Sequence, residues 1–398
     1  MDRANSKLIW NPYTKGYYDN PYKHLEECRK NNPIHIGSHG SWMFFKHKDV
    51  SQIIRSNEFD VSNLSEYLAD KEPYIFKNTN ACPYLSRSTS KWPMYLNGDE
   101  NKNVRSIIGK SLKSYNLKDA LINSIEILHV KFSKNTKIDL VDYCAEFIFL
   151  LIKEFFDIQE YKSIENIREY SNLLAKSQDI NIPKQVYRKV NDALIWGVNI
   201  FKNSTFKESI ILLSKELGLN YNDDELYSVL SISFMAAFET SKDNLTIALY
   251  EILKSPKLID YVTSCDPKAL NIFIEELLRY STPLQYTVRI NKKQLEYNGV
   301  IIPEKSKLYL CLASANRDIE VFEQPNEIIV DRNPNDHLSF GGGVHFCLGA
   351  QIARQELRYC LKPMINFLKN FTIPVNETPV WSKQIFMRTM KSMPIYLK

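Results

Sequence analysis

"FGGGVHFCLGAQIARQE", residues 340–356, sets three glycines, His345 and Cys347 directly ahead of an amphipathic helix pattern, in a chain with only twelve glycines. A phosphate-cradling loop enters its helix through Gly-Lys-Ser/Thr, whereas here Val344, His345, Phe346 and Cys347 follow the glycines. A structural zinc site needs about four nitrogen or sulfur ligands in paired spacing, and no such pair stands near Cys347 in the sequence. One cysteine is left in a flexible loop at a helix N-terminus, where the macrodipole and open N–H groups lower the pKa of a thiol. That environment suits a nucleophile or an axial metal ligand.

Working outward, 398 residues with 44% apolar and 12% aromatic side chains are enough for one large core or two medium ones. Seven cysteines, odd in number and without C-x-x-C spacing, argue for a reducing compartment. No stretch approaches the roughly 18 apolar residues of a membrane span, and the N-terminus lacks a signal-like apolar run. These features predict a cytoplasmic protein with no membrane attachment. The net charge of +5 is mild, and the Lys and Arg residues are interspersed with Asp and Glu, so nucleic acid is not an expected partner.

No linker, repeat or low-complexity tract interrupts the chain, which predicts a single domain over residues 1–398. Helical periodicity dominates residues 100–285, and strand patterns are confined to residues near 41–47 and 286–312. The fold class is mainly α with a small β portion. A long helix from Asn222 to Leu253 opens on a capping-box pattern, Asn222 with Glu225. In its middle, Thr240 can hydrogen-bond back to the Ala236 carbonyl, beside Glu239. Downstream, "IEELLRYSTP" sets Glu276 and Arg279 on one helix face, and Arg332, in a proline-flanked stretch, can join them in a buried triad.

In this order, A-A-x-E-T, E-x-x-R and F-G-G-G-V-H-F-C-L-G-A resemble the cytochrome P-450 superfamily of haem-thiolate monooxygenases. The resemblance runs from "NPYKHLEECRKNNPIHIG" (20–37) and "WMFFKHKDVSQIIRSNEF" (42–59) through "ASANRD" (313–318) to the cysteine loop. It implies the cytochrome P-450 fold, an α-rich prism with a long central helix and minor β-sheets. It also implies haem b bound through Cys347 as axial thiolate ligand of the iron. Phe340, Gly341 and Gly349 would shape the loop around the porphyrin, and His345, Arg289, Arg105 and Asn101 would meet the propionates. Ala236 would border the dioxygen site, Thr240 and Glu239 would deliver protons, and Glu276, Arg279 and Arg332 would form the structural triad. Two positions depart from the family pattern: Asn101 stands where many members carry His, and Ala237 where Gly is usual.

The implied activity is insertion of one atom of dioxygen into a small organic substrate. Electrons would come from NAD(P)H through a ferredoxin or flavodoxin with its reductase, docking over Lys102, Lys110, Lys113, Arg354 and Arg358. Segments 64–98 and 165–205, Phe234, Met235, Phe238, "PLQYT" (283–287) and "KQIFMR" (383–388) would line the substrate site, with Gln285 and Lys383 as polar anchors. Two rivals are a non-catalytic haem-thiolate sensor or carrier and a peroxide-driven peroxygenase. The Glu239–Thr240 pair argues against both: a pure binder needs no proton relay, and the peroxide-driven branch of the family usually replaces this acid–alcohol pair.

Overall fold

The computed structural model describes residues 8–77, 82–113, 117–158, 163–180 and 182–398. The chain divides into two compact units, each made of three separate segments. Met1–Val61, Asp266–Cys347 and Val380–Thr389 form the first, and Ser62–Cys265, Leu348–Pro379 and Met390–Lys398 the second. Units interleaved in this way leave no linear linker to read, so the expectation of one domain over residues 1–398 rests on composition alone.

The first unit is built on a five-stranded sheet in the order Ile34–Ile36, Trp42–Phe44, Lys307–Leu310, Thr287–Asn291, Phe59–Asp60. Alternation makes these strands: Leu308 and Leu310 are buried, while Lys307 and Tyr309 between them stay partly exposed. Lys307–Leu310 pairs parallel to Trp42–Phe44 and antiparallel to Thr287–Asn291. Under the sheet, Phe44, Leu308 and Leu310 pack with Val50 and Ile53 of the helix His47–Arg55 and with Leu338. A separate hairpin, Leu295–Tyr297 with Val300–Ile302, turns at Asn298-Gly299, both at positive φ as a two-residue turn requires. The E-x-x-R helix, Pro267–Ser281, starts where Asp266 accepts the Lys268 and Ala269 N–H groups at 2.8 and 2.9 Å, with Pro267 in the first turn.

The second unit is helical around Asp223–Leu253, 31 residues and about 46 Å at ~1.5 Å per residue. Its capping box is complete: Asn222 accepts the Glu225 N–H at 3.0 Å, and Glu225 accepts the Asn222 N–H at 2.9 Å. Every residue from Lys242 to Leu249 is buried, so this half of the helix is covered on all faces. Leu140–Phe156, Ile164–Lys176 and Ala350–Leu368 are among its packing neighbours. A small sheet in the order Lys137–Asp139, Pro394–Leu397, Phe371–Thr372 completes the unit. Asp139 joins sheet to helix, accepting the Val141 N–H at 2.8 Å and the Met393 N–H at 3.1 Å. Among the described residues, no helix is long and apolar enough to cross a membrane.

Candidate active site

In the first unit the structure brings Glu276, Arg279 and Arg332 together. Arg279 forks onto Glu276, Nε to Oε2 at 2.7 Å and Nη2 to Oε1 at 2.8 Å, and Arg332 Nε reaches Oε2 at 2.9 Å. The Ile329 N–H and the Asn335 amide complete the carboxylate's shell at 2.9 and 3.2 Å. Burial alone would raise the Glu276 carboxyl, but Arg279, then the Ile329 N–H and Arg332, outweigh it and hold the carboxyl below its ordinary range. Arg279 also donates to the carbonyls of Asn316, Pro325 and Glu327. The irregular stretch that leads into the cysteine loop is therefore tied to the helix Pro267–Ser281.

The cysteine loop itself closes on a short N–H contact from Cys347 to the Phe340 carbonyl at 3.0 Å, with Phe346 N–H on Gly343 O at 3.1 Å. Cys347 is exposed, and none of the seven cysteines is in a disulfide. The glycines answer to protein packing as well as to any ligand. At Gly343, φ is +63° and a Cβ would lie 2.8 Å from the Ile54 carbonyl oxygen, while a Cβ on Gly342 would meet Ile54 and Arg55 side chains at 3.1 Å. The loop thus needs glycine to press against the end of His47–Arg55. Gly341 is also at positive φ, +68°, whereas Gly349 caps Ala350–Leu368 at φ −84°, open to any residue. His345 ends the single turn Gly343–His345 and is half-buried. Phe340 packs edge-on to Phe346 at 6.2 Å.

Arg289 shows whether these residues suit a haem. It is 3% exposed on the strand Thr287–Asn291, and its guanidinium donates to the Val288 carbonyl at 2.9 Å and the Thr287 hydroxyl at 3.4 Å. Among the described residues no carboxylate pairs with it, and burial pulls its pKa down to about 10. A buried cation in that state calls for an anion, which a haem propionate would supply. An exposed thiol on a fixed loop fits a single axial ligand. No cluster of three or more His, Cys, Asp or Glu among the described residues could hold a bare metal ion, and a haem iron does not need one.

In the second unit, Thr240 donates its hydroxyl to the Ala236 carbonyl at 2.6 Å, which leaves the Thr240 oxygen lone pairs to accept. Ser241 donates to Glu356 Oε2 at 2.8 Å. Burial raises the Glu356 carboxyl to about 7, with the Ser241 hydrogen bond opposing it. Glu356, on Ala350–Leu368, was not singled out from sequence. Its only linear signal is a carboxylate at a buried position of a helix face. Glu239 is 1% exposed, and it bonds Lys242 Nζ at 2.9 Å.

The family model for cytochrome P450 matches residues 268–398, the stretch holding the Glu276 network and the cysteine loop. The polyketide biosynthesis cytochrome P-450 PksS of Bacillus subtilis is 24% identical over 98% of this chain and 99% of its own length. The epothilone C/D epoxidase of Sorangium cellulosum is 24% identical over 97% and 94%. The solved structure of P450BioI, in complex with an acyl carrier protein ligated to hexadec-9Z-enoic acid, covers 96% of this chain and all of its own at a TM-score of 0.82 and 20% identity. The chain belongs to the cytochrome P-450 superfamily. It is a haem-thiolate monooxygenase that takes haem b and dioxygen and acts on a small-molecule substrate.

Other expected residues of this P-450 fall differently. Asn101, buried, donates its amide to the Pro93 carbonyl and so anchors the turn ahead of its own helix, Gly98–Lys113, while Arg105 is half-buried on that helix. Phe234 is fully buried among Phe156, Tyr170 and Phe201, with centroids 5.4 to 5.7 Å away. It is a core residue rather than a substrate wall, because the unit's aromatic cluster closes around it. Gln285 gives its amide to the Thr282 carbonyl at 2.7 Å, and Lys383 is exposed. Of the basic patch, Lys102 and Arg358 are exposed, Arg354 is half-buried, and Lys110 lies 3.9 Å from Glu216. The Lys113 side chain, and residues 78–81 and 181 of the expected lining segments, lie outside the described residues.

Replacing Glu276 by Ala strands two buried guanidinium groups. The expected loss is about 3 to 5 kcal/mol, seen as a lower thermal midpoint and a low yield of haem-loaded protein. Wild-type stability would show that the network contributes nothing. Because the Glu276 carboxyl titrates below its ordinary range, its contribution is complete at neutral pH and is lost only as acid reaches the lowered value.

Proposed function

We propose that Cys347 is the axial thiolate of this P-450, and that Thr240, Ser241, Glu356 and Glu239 manage the two protons consumed as dioxygen is split and one oxygen atom enters the substrate. The haem, bound through Cys347, supplies the centre at which dioxygen is activated, with thiolate donation favouring O–O cleavage. Arg289, His345 and Arg105 would meet its propionates. Electrons would arrive from NAD(P)H through a separate ferredoxin or flavodoxin and its reductase, with Lys102 and Arg358 as the exposed cations to receive an acidic partner. The cytoplasm, where thiols stay reduced, is the proposed location.

The observation that carries this reading is the buried Glu356 carboxyl on Ser241. A carrier that only holds a ligand has no use for a carboxyl that titrates near neutrality on a serine hydroxyl. An enzyme moving protons does, since a donor works best with a pKa near the operating pH. Below about 7 Glu356 carries a proton that it can donate toward Ser241, and above about 7 it is a carboxylate that accepts from Ser241. Thr240, its own proton placed on Ala236, accepts from the next donor in line.

Three measurements test the proposal. Cys347→Ser should abolish the long-wavelength band of the reduced carbonyl adduct, and a retained band would assign the ligand to another cysteine. Thr240→Ala should lower product per NAD(P)H by roughly the 10²-fold or more that positioned proton transfer is worth, with hydrogen peroxide replacing product and the carbonyl band intact. Full coupling in that variant would remove Thr240 from the relay. In the wild-type enzyme, coupling should fall as pH rises through about 7, and Glu356→Gln should flatten that profile. An unchanged profile would exclude Glu356 as donor.

A further inference from the structure

The middle of the central helix holds a second charged cluster that the relay above does not use. Lys242 is 5% exposed, and its neighbours Glu239 and Asp243 are each 1% exposed. Lys242 Nζ hydrogen-bonds Glu239 Oε2 at 2.9 Å and stands 3.0 Å from Asp243 Oδ1. Glu239 and Asp243 are four residues apart on one helix face, so their carboxylates are neighbours, and a single ammonium serves both. Burial on its own would lower the Lys242 ammonium, yet Asp243 and Glu239 together carry it above the ordinary lysine range. From the packed elements, Cys144 of Leu140–Phe156 interacts with Lys242 and Asp243, and with Asp139 at its own helix cap, and Lys176 of Ile164–Lys176 interacts with Glu239. Cys144 is a buried thiol raised to about 12, and therefore neutral.

A buried ammonium with one partner cannot let that partner go, because breaking a buried pair leaves an uncompensated charge. Here Asp243 already shares the ammonium at 3.0 Å, so Lys242 stays paired while Glu239 turns away. We infer that Lys242 and Asp243 are positioning residues for Glu239: Lys242 holds both carboxylates in one cluster, and Asp243, its second partner, keeps the ammonium paired when Glu239 leaves to carry a proton. The inference rests on the proposed proton role of Glu239.

Two readouts on haem-loaded protein test it. The first is infrared difference spectroscopy of the protonated-carboxyl stretch at neutral pH, which needs no turnover. Lys242→Met leaves two buried carboxylates side by side, and one of them should take up a proton. A new carboxyl band is expected that Lys242→Met/Glu239→Gln and Lys242→Met/Asp243→Asn each remove or diminish. A Lys242→Met spectrum identical to wild type overturns the role of Lys242.

The second uses Asp243→Asn, which keeps the Lys242–Glu239 pair and removes the second carboxylate on the ammonium, so it serves even if Lys242→Met fails to fold. Oxygen-dependent NADPH oxidation with a surrogate ferredoxin system should slow by about tenfold, short of the hundredfold that marks the loss of a proton donor itself. Its solvent deuterium isotope effect should grow while the thermal midpoint holds. A purely structural role would move the midpoint and leave the isotope effect alone, which overturns the inference. Glu239→Gln run alongside separates the two ideas. If Glu239→Gln is impaired and Asp243→Asn matches wild type, the positioning role falls and the Glu239 reading stands. If Glu239→Gln matches wild type, the Glu239 reading falls and this inference with it.

Discussion

Glu276 is a carboxylate with no solvent exposure, and the first unit is organised around satisfying it. Burying one ion is expensive, and burying one with a single partner seldom repays the desolvation. Here two guanidinium groups, a backbone N–H and an amide converge on its two oxygens. Arg279 then spends its remaining donors on three carbonyls between Asn316 and Glu327. That stretch has no helix or sheet ladder to pair its backbone, and buried backbone groups must find partners. The network supplies them, and the frame continues when Asn316 accepts the Leu338 N–H and Ser339 donates to the Leu278 carbonyl. The cysteine loop begins one residue later.

Two glutamates in the second unit show how environment assigns chemistry to the same residue type. Glu356 has a serine hydroxyl and, among the described residues, no ion-pair partner, so burial prevails and its carboxyl rises to about 7. Glu239, equally buried, has Lys242 at bonding distance. The first is poised to hold a proton at neutral pH, and the second is held as half of an ion pair. A relay that draws on both begins with a loaded donor and a locked one, a division typical of paired acids in active sites.

Much of this was legible along the chain. The cysteine loop, the E-x-x-R pair, the threonine of the central helix and the capping box all depend on residues within a few positions of one another, and local hydrogen bonding reads directly from such spacing. The strands near residues 41–47 and 286–312 announced themselves by alternation. Strands of two to four residues, such as Phe371–Thr372 and Pro394–Leu397, are too short for a period to register. Phe234 illustrates the opposite failure, since an aromatic on a central helix looks the same whether it lines a cavity or fills a core.

By itself the sequence determined the helical class, the ends of the long helix and the chemistry available: one loop cysteine, one acid–alcohol pair, one arginine–glutamate turn. Tertiary structure alone decided that Glu356 meets Ser241 across 115 positions, and that Arg332 crosses 56 to reach Glu276. It also showed that Gly343 is required by the helix His47–Arg55, some 290 residues earlier in the chain. The reason is the range of the forces concerned. Propensity and capping act over a turn of backbone, but the charge state of a buried carboxyl and the room for a Cβ depend on whatever the fold brings within a few ångströms.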